Sequence, residues 1–334
     1  MEAATPVDAA APVSAPKPGL DGYLVVDKPA GWTSFDVVAR VRRLLGERKI
    51  GHAGTLDPAA TGVLPIAVGS ARKTLEYLAG ADKTYVAKIT FGVETETDDA
   101  EGAVTAVHDA SALNAAAVES VLAGFLGARS QIPPMYAAIK VGGRRLYELA
   151  RRGETVERPP RPVVFHRLEL LAWEPPTATL LVDCSKGTYV RALARDLGTA
   201  LGPGAHLSGL VRTRTGPFLL EEAITLEALA ALRLPEAWPE IAVRPDSPIQ
   251  NLPALILNPY ETRRWRQGSP IPAEEAAGDC RAYGDDGEWL GIGRADADGC
   301  WWRPAKVVGA LKNSFGLRSR ALSRTGDVCL QTED

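Results

Sequence analysis

Between Tyr23 and Leu45 the spacing of apolar residues changes from that of a strand to that of a helix. Tyr23–Asp27 is a short apolar run that reads as a strand, stopped by Pro29-Ala30-Gly31. Val37, Val38, Val41, Leu44 and Leu45 then recur at helical intervals. Thr33 and Asp36 supply a capping box in front of them, and Gly46 ends the helix. Val63–Val68 predicts a buried strand, and Ser70 the cap of a helix running to Gly80. Lys83–Val93 alternates as a strand, with Val104–Val107 as its candidate partner. Asn114 caps an Ala-rich helix to Gly124. Two strands, about Val163–Trp173 and Thr177–Cys184, precede a helix from about Val190 to Leu201. Farther on, short apolar runs between frequent glycines (Gly284, Gly287, Gly291, Gly293, Gly299) predict a small β domain.

The pattern fails at both ends. Residues 1–19 hold six alanines and four prolines and too little large apolar surface to offset the entropy of ordering, so a disordered tail is expected. They have neither the apolar run of a secretory signal nor the arginines of a transit peptide. A second tail is expected over 309–334, basic and Ser-rich at Lys312–Arg324 and acidic from Asp327. Arg233–Asn251, with Pro235, Pro239, Pro245 and Pro248, reads as an interdomain linker. Its place in 334 residues suits two domains at ~100–200 residues each.

Composition narrows the class. No apolar run approaches the ~18–20 residues of a membrane span, so no membrane association is expected. Cys184, Cys280, Cys300 and Cys329 are scattered without a Cys-x-x-Cys, which argues against zinc and disulfides and for a reducing, cytoplasmic setting. The net charge of −3 hints at no polyanionic partner, but its distribution does. Arg129, Lys140, Arg144, Arg145, Arg151, Arg152, Arg158, Arg161 and Arg167 face only Glu148, Glu154 and Glu157 in the same stretch. Several chemistries are excluded by inspection. There is no P-loop, no dinucleotide fingerprint, no His-Glu-x-x-His and no Gly-x-Ser-x-Gly.

One segment remains that is suited to chemistry, Gly51-His52-Ala53-Gly54-Thr55-Leu56-Asp57-Pro58 through Pro65. Its glycines and Pro58 force an irregular loop between helix and strand, and Pro58 biases Asp57 away from helical geometry. A carboxylate on a rigid loop beside a histidine can serve as nucleophile or base. An isolated Asp-Pro, by itself, more often only caps a turn.

Gly51–Pro65, preceded by Asp27-Lys28-Pro29, resembles the catalytic motifs of the TruB family of tRNA pseudouridine synthases. The resemblance continues through Asp82-Lys83-Thr84-Tyr85, Gln131-Ile132-Pro133-Pro134-Met135-Tyr136, Cys184-Ser185-Lys186-Gly187-Thr188-Tyr189-Val190-Arg191, and Gly204-Ala205-His206-Leu207 to Leu210-Val211-Arg212. It implies a mixed α/β fold, a pseudouridine synthase catalytic fold around a largely antiparallel sheet. The catalytic domain would span 20–235, with an inserted RNA-binding thumb at about 129–158. A looser likeness implies a small C-terminal PUA-like β domain at 250–308.

The resemblance implies isomerisation of uridine 55 in the T loop of tRNA, with tRNA as partner, no obligate protein partner and a monomer. That reaction oxidises nothing and transfers no external group, so no cofactor or metal is expected. It places the catalytic carboxylate at Asp57 and its ion-pair partner at Arg191, and it puts Tyr85 against the extruded base. Whether Asp57 attacks base or sugar, or takes the 2′ proton, stays open at this level. Tyr189 and the Leu210 backbone map to uridine contacts, and His52 to the residue that fills the vacated space. Lys28, Arg144 and Arg145 are taken as RNA-binding. Uridine 55 is buried in folded tRNA, so the nucleotide must be flipped out, at a cost of a few kcal/mol. A non-catalytic RNA-binding or RNA-folding protein is the alternative; it would keep the basic insertion without needing Asp57, Tyr85 and Arg191 together. A glycosidase normally needs two carboxylates, and only Asp57 stands out.

Overall fold

The computed structural model describes residues 20–136, 140–141, 144–145, 156–234 and 236–309, with backbone alone at 140, 141, 144 and 145. The expected tails, Gly309 apart, and half of the expected thumb lie outside the described residues.

The chain starts as β1 (Gly22–Lys28), and α1 (Ser34–Leu45) follows as its pattern predicts. Thr33 Oγ1 accepts from Asp36 N, Asp36 returns the bond to Thr33 N, and Gly46 closes the helix in the left-handed conformation. A short β2 (Ile50–His52) leads through the Asp57 loop into β3 (Thr61–Val68), which runs antiparallel to both β1 and β2. The next helix differs from expectation. A 3-10 turn, Gly69–Thr74, precedes a short α2 (Leu75–Ala79), and the cap comes from Asp21. The Asp21 carboxylate accepts from Ser70 N, Ser70 Oγ and Ala71 N at 2.9, 2.7 and 3.2 Å.

The alternating run from Lys83 turns at Gly92 into two strands, β4 (Lys83–Phe91) and β5 (Val93–Thr95). It is β5 that pairs with β6 (Val104–Val107). Asn114 caps α3 (Ala115–Phe125), followed by β7 (Gly127–Gln131). Within the basic insertion, β8 (Lys140–Val141) pairs with β9 (Arg144–Arg145). Then come β10 (Arg161–Glu174), β11 (Thr177–Cys184) and α4 (Val190–Leu201). The chain continues through β12 (Ala205–Thr215), β13 (Phe218–Leu219), α5 (Leu226–Ala231) and α6 (Trp238–Ile241).

Among the described residues these strands make one nine-stranded sheet, ordered β1-β3-β12-β4-β11-β10-β7, with β2 on β3 and β13 on β12. Only the β3–β12 pair is parallel. Its central strand, β12, does not stand out in the sequence pattern. Ser208, Gly209, Arg212 and Arg214 break the apolar alternation, and the pairing with β4 carries two register shifts. One core lies under α3 and α4, whose Val118, Leu122, Leu193 and Leu197 pack on Ile89, Phe91, Leu180 and Val182. Another lies under α1, with Val37, Val38 and Val41 on Leu24, Val26, Leu64 and Ile66.

Arg233–Asn251 is not a free linker. Trp238 is fully buried and donates through Nε1 to Asp21 O, and Val243 pairs with Tyr23 at the edge of β1. Its prolines start helical turns at Trp238–Ile241 and Ser247–Ile249. The C-terminal part holds β14 (Ala254–Leu257), α7 (Pro259–Arg266), β15 (Ile271–Pro272), β16 (Asp279–Gly284), β17 (Trp289–Ala295) and β18 (Trp301–Val307). They form a five-stranded sheet ordered β14-β16-β17-β18-β15, with Trp265 of α7 buried against Leu257, Ile271 and Leu290. Polar contacts seat this part on the first. Tyr77 Oη donates to Asp279 Oδ2 at 2.6 Å, and Lys306 Nζ reaches Lys73 O at 2.8 Å and Glu76 Oε1 at 2.7 Å. No described helix is long and apolar enough to cross a membrane.

Candidate active site

The Asp57 loop is held from below at every second carbonyl. Arg212 Nη2 on β12 donates to Gly54 O at 2.9 Å, Ser34 Oγ on α1 to Leu56 O at 3.2 Å, and Lys28 Nζ on β1 to Pro58 O at 3.0 Å. Ser34 Oγ also accepts from Leu56 N at 3.0 Å. All three holders are buried, at 1%, 2% and 0% exposure, so three separate elements fix the backbone on both sides of Asp57. Where the loop enters β3, Gly62 has φ +100, and a Cβ there would stand 2.2 Å from Arg212 O. Only glycine passes that point.

Arg191, in the first turn of α4 and nearly buried, pairs with Asp57 through Nε to Oδ2 at 3.0 Å. Its Nη1 reaches Asp99 Oδ2 at 3.3 Å and Thr97 O at 3.2 Å, and its Nη2 donates to Tyr136 O at 2.9 Å. The guanidinium thus lies between two carboxylates and gives two further hydrogens to backbone carbonyls. Protein crowding raises the Asp57 carboxyl above its ordinary value. Arg191 and then Lys28 pull it down, while Asp99 pushes it up. The side chain nonetheless keeps 45% of its surface accessible, so solvent tempers that crowding.

Tyr85 is buried on β4 directly across from Arg212 on β12. Burial raises its hydroxyl, and the nearby positive charge of Arg212 opposes that rise. Leu210 pairs with Ala87 two rungs along the same ladder and packs against the core. The Tyr189 backbone is gripped on both sides by the Gln131 side chain, which donates to Tyr189 O at 3.1 Å and accepts from Tyr189 N at 2.9 Å. His52 Nδ1 is buried without a hydrogen-bond partner, and burial followed by Arg212 lowers its affinity for a proton.

Two expectations change. Lys28 cannot contact RNA, since it is fully buried and its ammonium gives its three hydrogens to Pro29 O, Trp32 O and Pro58 O at 2.9, 2.6 and 3.0 Å. The basic insertion is also less free than its charge implies. Arg158 donates to Pro133 O, Arg167 pairs with Glu169, and Arg129 stacks on Phe125. The side chains of Arg144 and Arg145 lie outside the described residues.

Sequence reasoning missed Asp99, Gln131 and Arg212 as parts of the site. Asp99 sits in the acidic turn after β5, and its only sequence signal is the run Glu94 to Glu101. Among the described residues no group of three or more His, Cys, Asp and Glu side chains could hold a metal ion.

Comparison with known proteins places this arrangement. Residues 42–190 match a family model described as TruB family pseudouridylate synthase (N terminal domain). Residues 191–245 match tRNA pseudouridylate synthase B C-terminal domain, and 253–302 Pseudouridine synthase II TruB, C-terminal. The tRNA pseudouridine synthase B of Pseudomonas aeruginosa is 46% identical over 285 residues, covering 84% of this chain and 93% of its own. The chain belongs to the TruB family. Its relative of the same name in Symbiobacterium thermophilum is 59% identical over 215 residues, 64% of this chain and 72% of that one. Among solved structures, a chain of a Cbf5-Nop10-Gar1 complex superposes with a TM-score of 0.64 at 26% identity, covering 84% of each. A chain of an H/ACA RNP bound to a substrate RNA containing 2′-deoxyuridine shares the fold, with a TM-score of 0.66 at 24% identity over 90% of this chain and 92% of that one. As a TruB-family member the chain is a pseudouridine synthase, an isomerase, and homology supports tRNA as what it modifies.

Proposed function

We propose that the protein converts uridine 55 in the T loop of tRNA to pseudouridine, without a cofactor, after drawing the nucleotide out of the folded RNA. The observation that carries this reading is the Asp57–Arg191 ion pair on a loop fixed by three buried side chains, in a chain of this family. The reaction must break the bond from C1′ to N1, turn the base, and bond C5 to C1′. Asp57 is the group that acts at the base or the sugar, and Arg191 keeps it ionised and oriented. Tyr85 supports the flipped base and accepts the C5 proton that must leave to restore the ring. Tyr189 and the Leu210 backbone contact the uridine, and His52 occupies the space it leaves in the RNA. The thumb at about 129–158, with Arg144 and Arg145, and the C-terminal domain at 250–308 grip the RNA by charge and shape. The protein works as a monomer in the cytoplasm.

Mapping pseudouridine in tRNA from cells with and without the protein tests this. Loss confined to the T-loop position is expected. Unchanged modification there, or loss at another position, would overturn the substrate assignment.

A further inference from the structure

Arg212 is a deeply buried cation opposite Tyr85 that no step above uses. Its Nε donates to Val63 O at 2.8 Å and its Nη2 to Gly54 O at 2.9 Å, so two fixed strand and loop carbonyls set its plane. Arg212 and Tyr85 are direct cross-strand partners between β12 and β4, which puts both side chains on one face, and the guanidinium charge favours the ionised form of the Tyr85 hydroxyl. Its described side-chain hydrogen bonds both go to backbone carbonyls, none to a carboxylate. A buried guanidinium with only neutral partners is costly, and an anion at the phenol oxygen would relieve that cost.

We propose that Arg212 is a positioning residue that holds the Tyr85 hydroxyl and stabilises it as the phenolate that removes the C5 proton. The proposal rests on the reading of Tyr85 as that base. After C5 has bonded to C1′, C5 still carries its hydrogen and the ring has a C6–N1 double bond. The C5–H bond breaks, and its proton goes to the Tyr85 oxygen. Its electron pair re-forms the C5–C6 double bond, and the C6–N1 π pair moves to N1, which takes a proton from water. A neutral phenol has no useful basicity towards that proton, whereas a phenolate beside a fixed guanidinium does. Five other charged or titratable groups bear on this pair, one of them Lys28 on β1, which feels Arg212. Cys184 on β11 and Asp57 on the loop act on Tyr85, while Lys83 on β4 and His52 on β2 feel Arg212. Of the groups acting on Tyr85, only Arg212 favours its ionised form.

The test is single-turnover conversion of tRNA carrying hydrogen or deuterium at C5 of the target uridine. It compares the unaltered protein, Arg212→Lys, Arg212→Gln, Tyr85→Phe, and Tyr85→Phe combined with Arg212→Lys. Arg212→Lys should bind tRNA within about threefold of the unaltered protein yet convert it about tenfold or more slowly at pH 7. A C5 deuterium isotope effect should appear, and the deficit should narrow as pH rises towards 10, because a less stabilised phenol ionises later. With Tyr85→Phe already present, Arg212→Lys should change the rate by less than about threefold. Arg212→Gln should be slower still, and if it fails to fold the lysine variant carries the test. Equal losses in both backgrounds, no loss, or loss of tRNA affinity in Arg212→Lys would overturn the proposal and leave Arg212 a strut for the loop. If Tyr85→Phe converts tRNA normally, the reading of Tyr85 as base fails first and is recognised as that.

Discussion

At the scale of single residues, the site is built on buried cations. Lys28 is the plainest case, since its three donors end on backbone carbonyls. Lys28→Met would leave those carbonyls without their donor, at ~1–3 kcal/mol for an unsatisfied buried group, partly offset by removing a buried charge. A loss of about 1–3 kcal/mol in urea unfolding is expected, with the salt dependence of tRNA binding unchanged. A salt slope reduced by ~0.7–0.9 would instead mark Lys28 as a phosphate contact. Lys83 gives a prediction in pH. Burial first, and then repulsion from Arg212, lower its ammonium from the usual 10.5 to about 8. Between those values the unfolded chain binds more protons than the folded one, so this group makes stability rise with pH across the window. The buried Cys184 thiol, pushed up to about 12 by burial, runs the other way above pH 9. The comparison must therefore be made against Lys83→Met. The stability of the unaltered protein relative to that variant should increase from pH 8 to pH 10, and a flat difference would contradict the assignment.

At the scale of elements, α4 delivers Arg191 only because it lies hard against the start of β12. A Cβ on Gly198 would stand 2.2 Å from Ala205 N and 2.4 Å from Gly204 C, both backbone atoms that cannot yield cheaply. Gly198→Ala should lift the helix, cost more than about 2 kcal/mol in stability, and slow conversion by moving Arg191 off Asp57. Normal turnover with an unchanged melting temperature would contradict the close packing. The elements differ in how far the sequence reveals them. The strand at β1 and the helices α1, α3 and α4 follow local rules, with apolar spacing and caps at Thr33 and Asn114, and are legible in the chain itself. The interior strand β12 is not, because its buried positions include the polar Arg212, whose partners lie on β3 and the Asp57 loop, and Thr215, whose hydroxyl has no hydrogen-bond partner. The same holds for the site. Asp57 and Arg191 are marked by motif, but the second carboxylate, Asp99, reaches Arg191 across 92 residues of chain. Lys28 illustrates the opposite error. A lysine in a motif invites an RNA contact, and only the fold places its ammonium among carbonyls. Likewise Ser70 has the residue type of a helix cap, yet Asp21 takes that position from 49 residues away.

At the scale of the molecule, binding and chemistry separate. Affinity for tRNA should be spread over the basic insertion and the C-terminal part, while chemistry depends on the few atoms around Asp57. Neutralising Arg144, Arg145, Arg151 and Arg152 together should weaken tRNA binding, and each lost phosphate contact should flatten the log–log salt slope by about 0.7–0.9. An unchanged slope would make those arginines a solvated face. The two parts of the molecule are seated on each other through Tyr77–Asp279 and Lys306–Glu76. The most direct test of the account is single-turnover conversion of T-loop uridine by Asp57→Asn, measured beside its affinity for the same tRNA. No detectable pseudouridine with affinity within a few-fold of the unaltered protein is the expected result, because in the proposed reaction only the ionised carboxylate acts. Pseudouridine formed at an appreciable rate, in a preparation free of deamidated or unaltered enzyme, would contradict it.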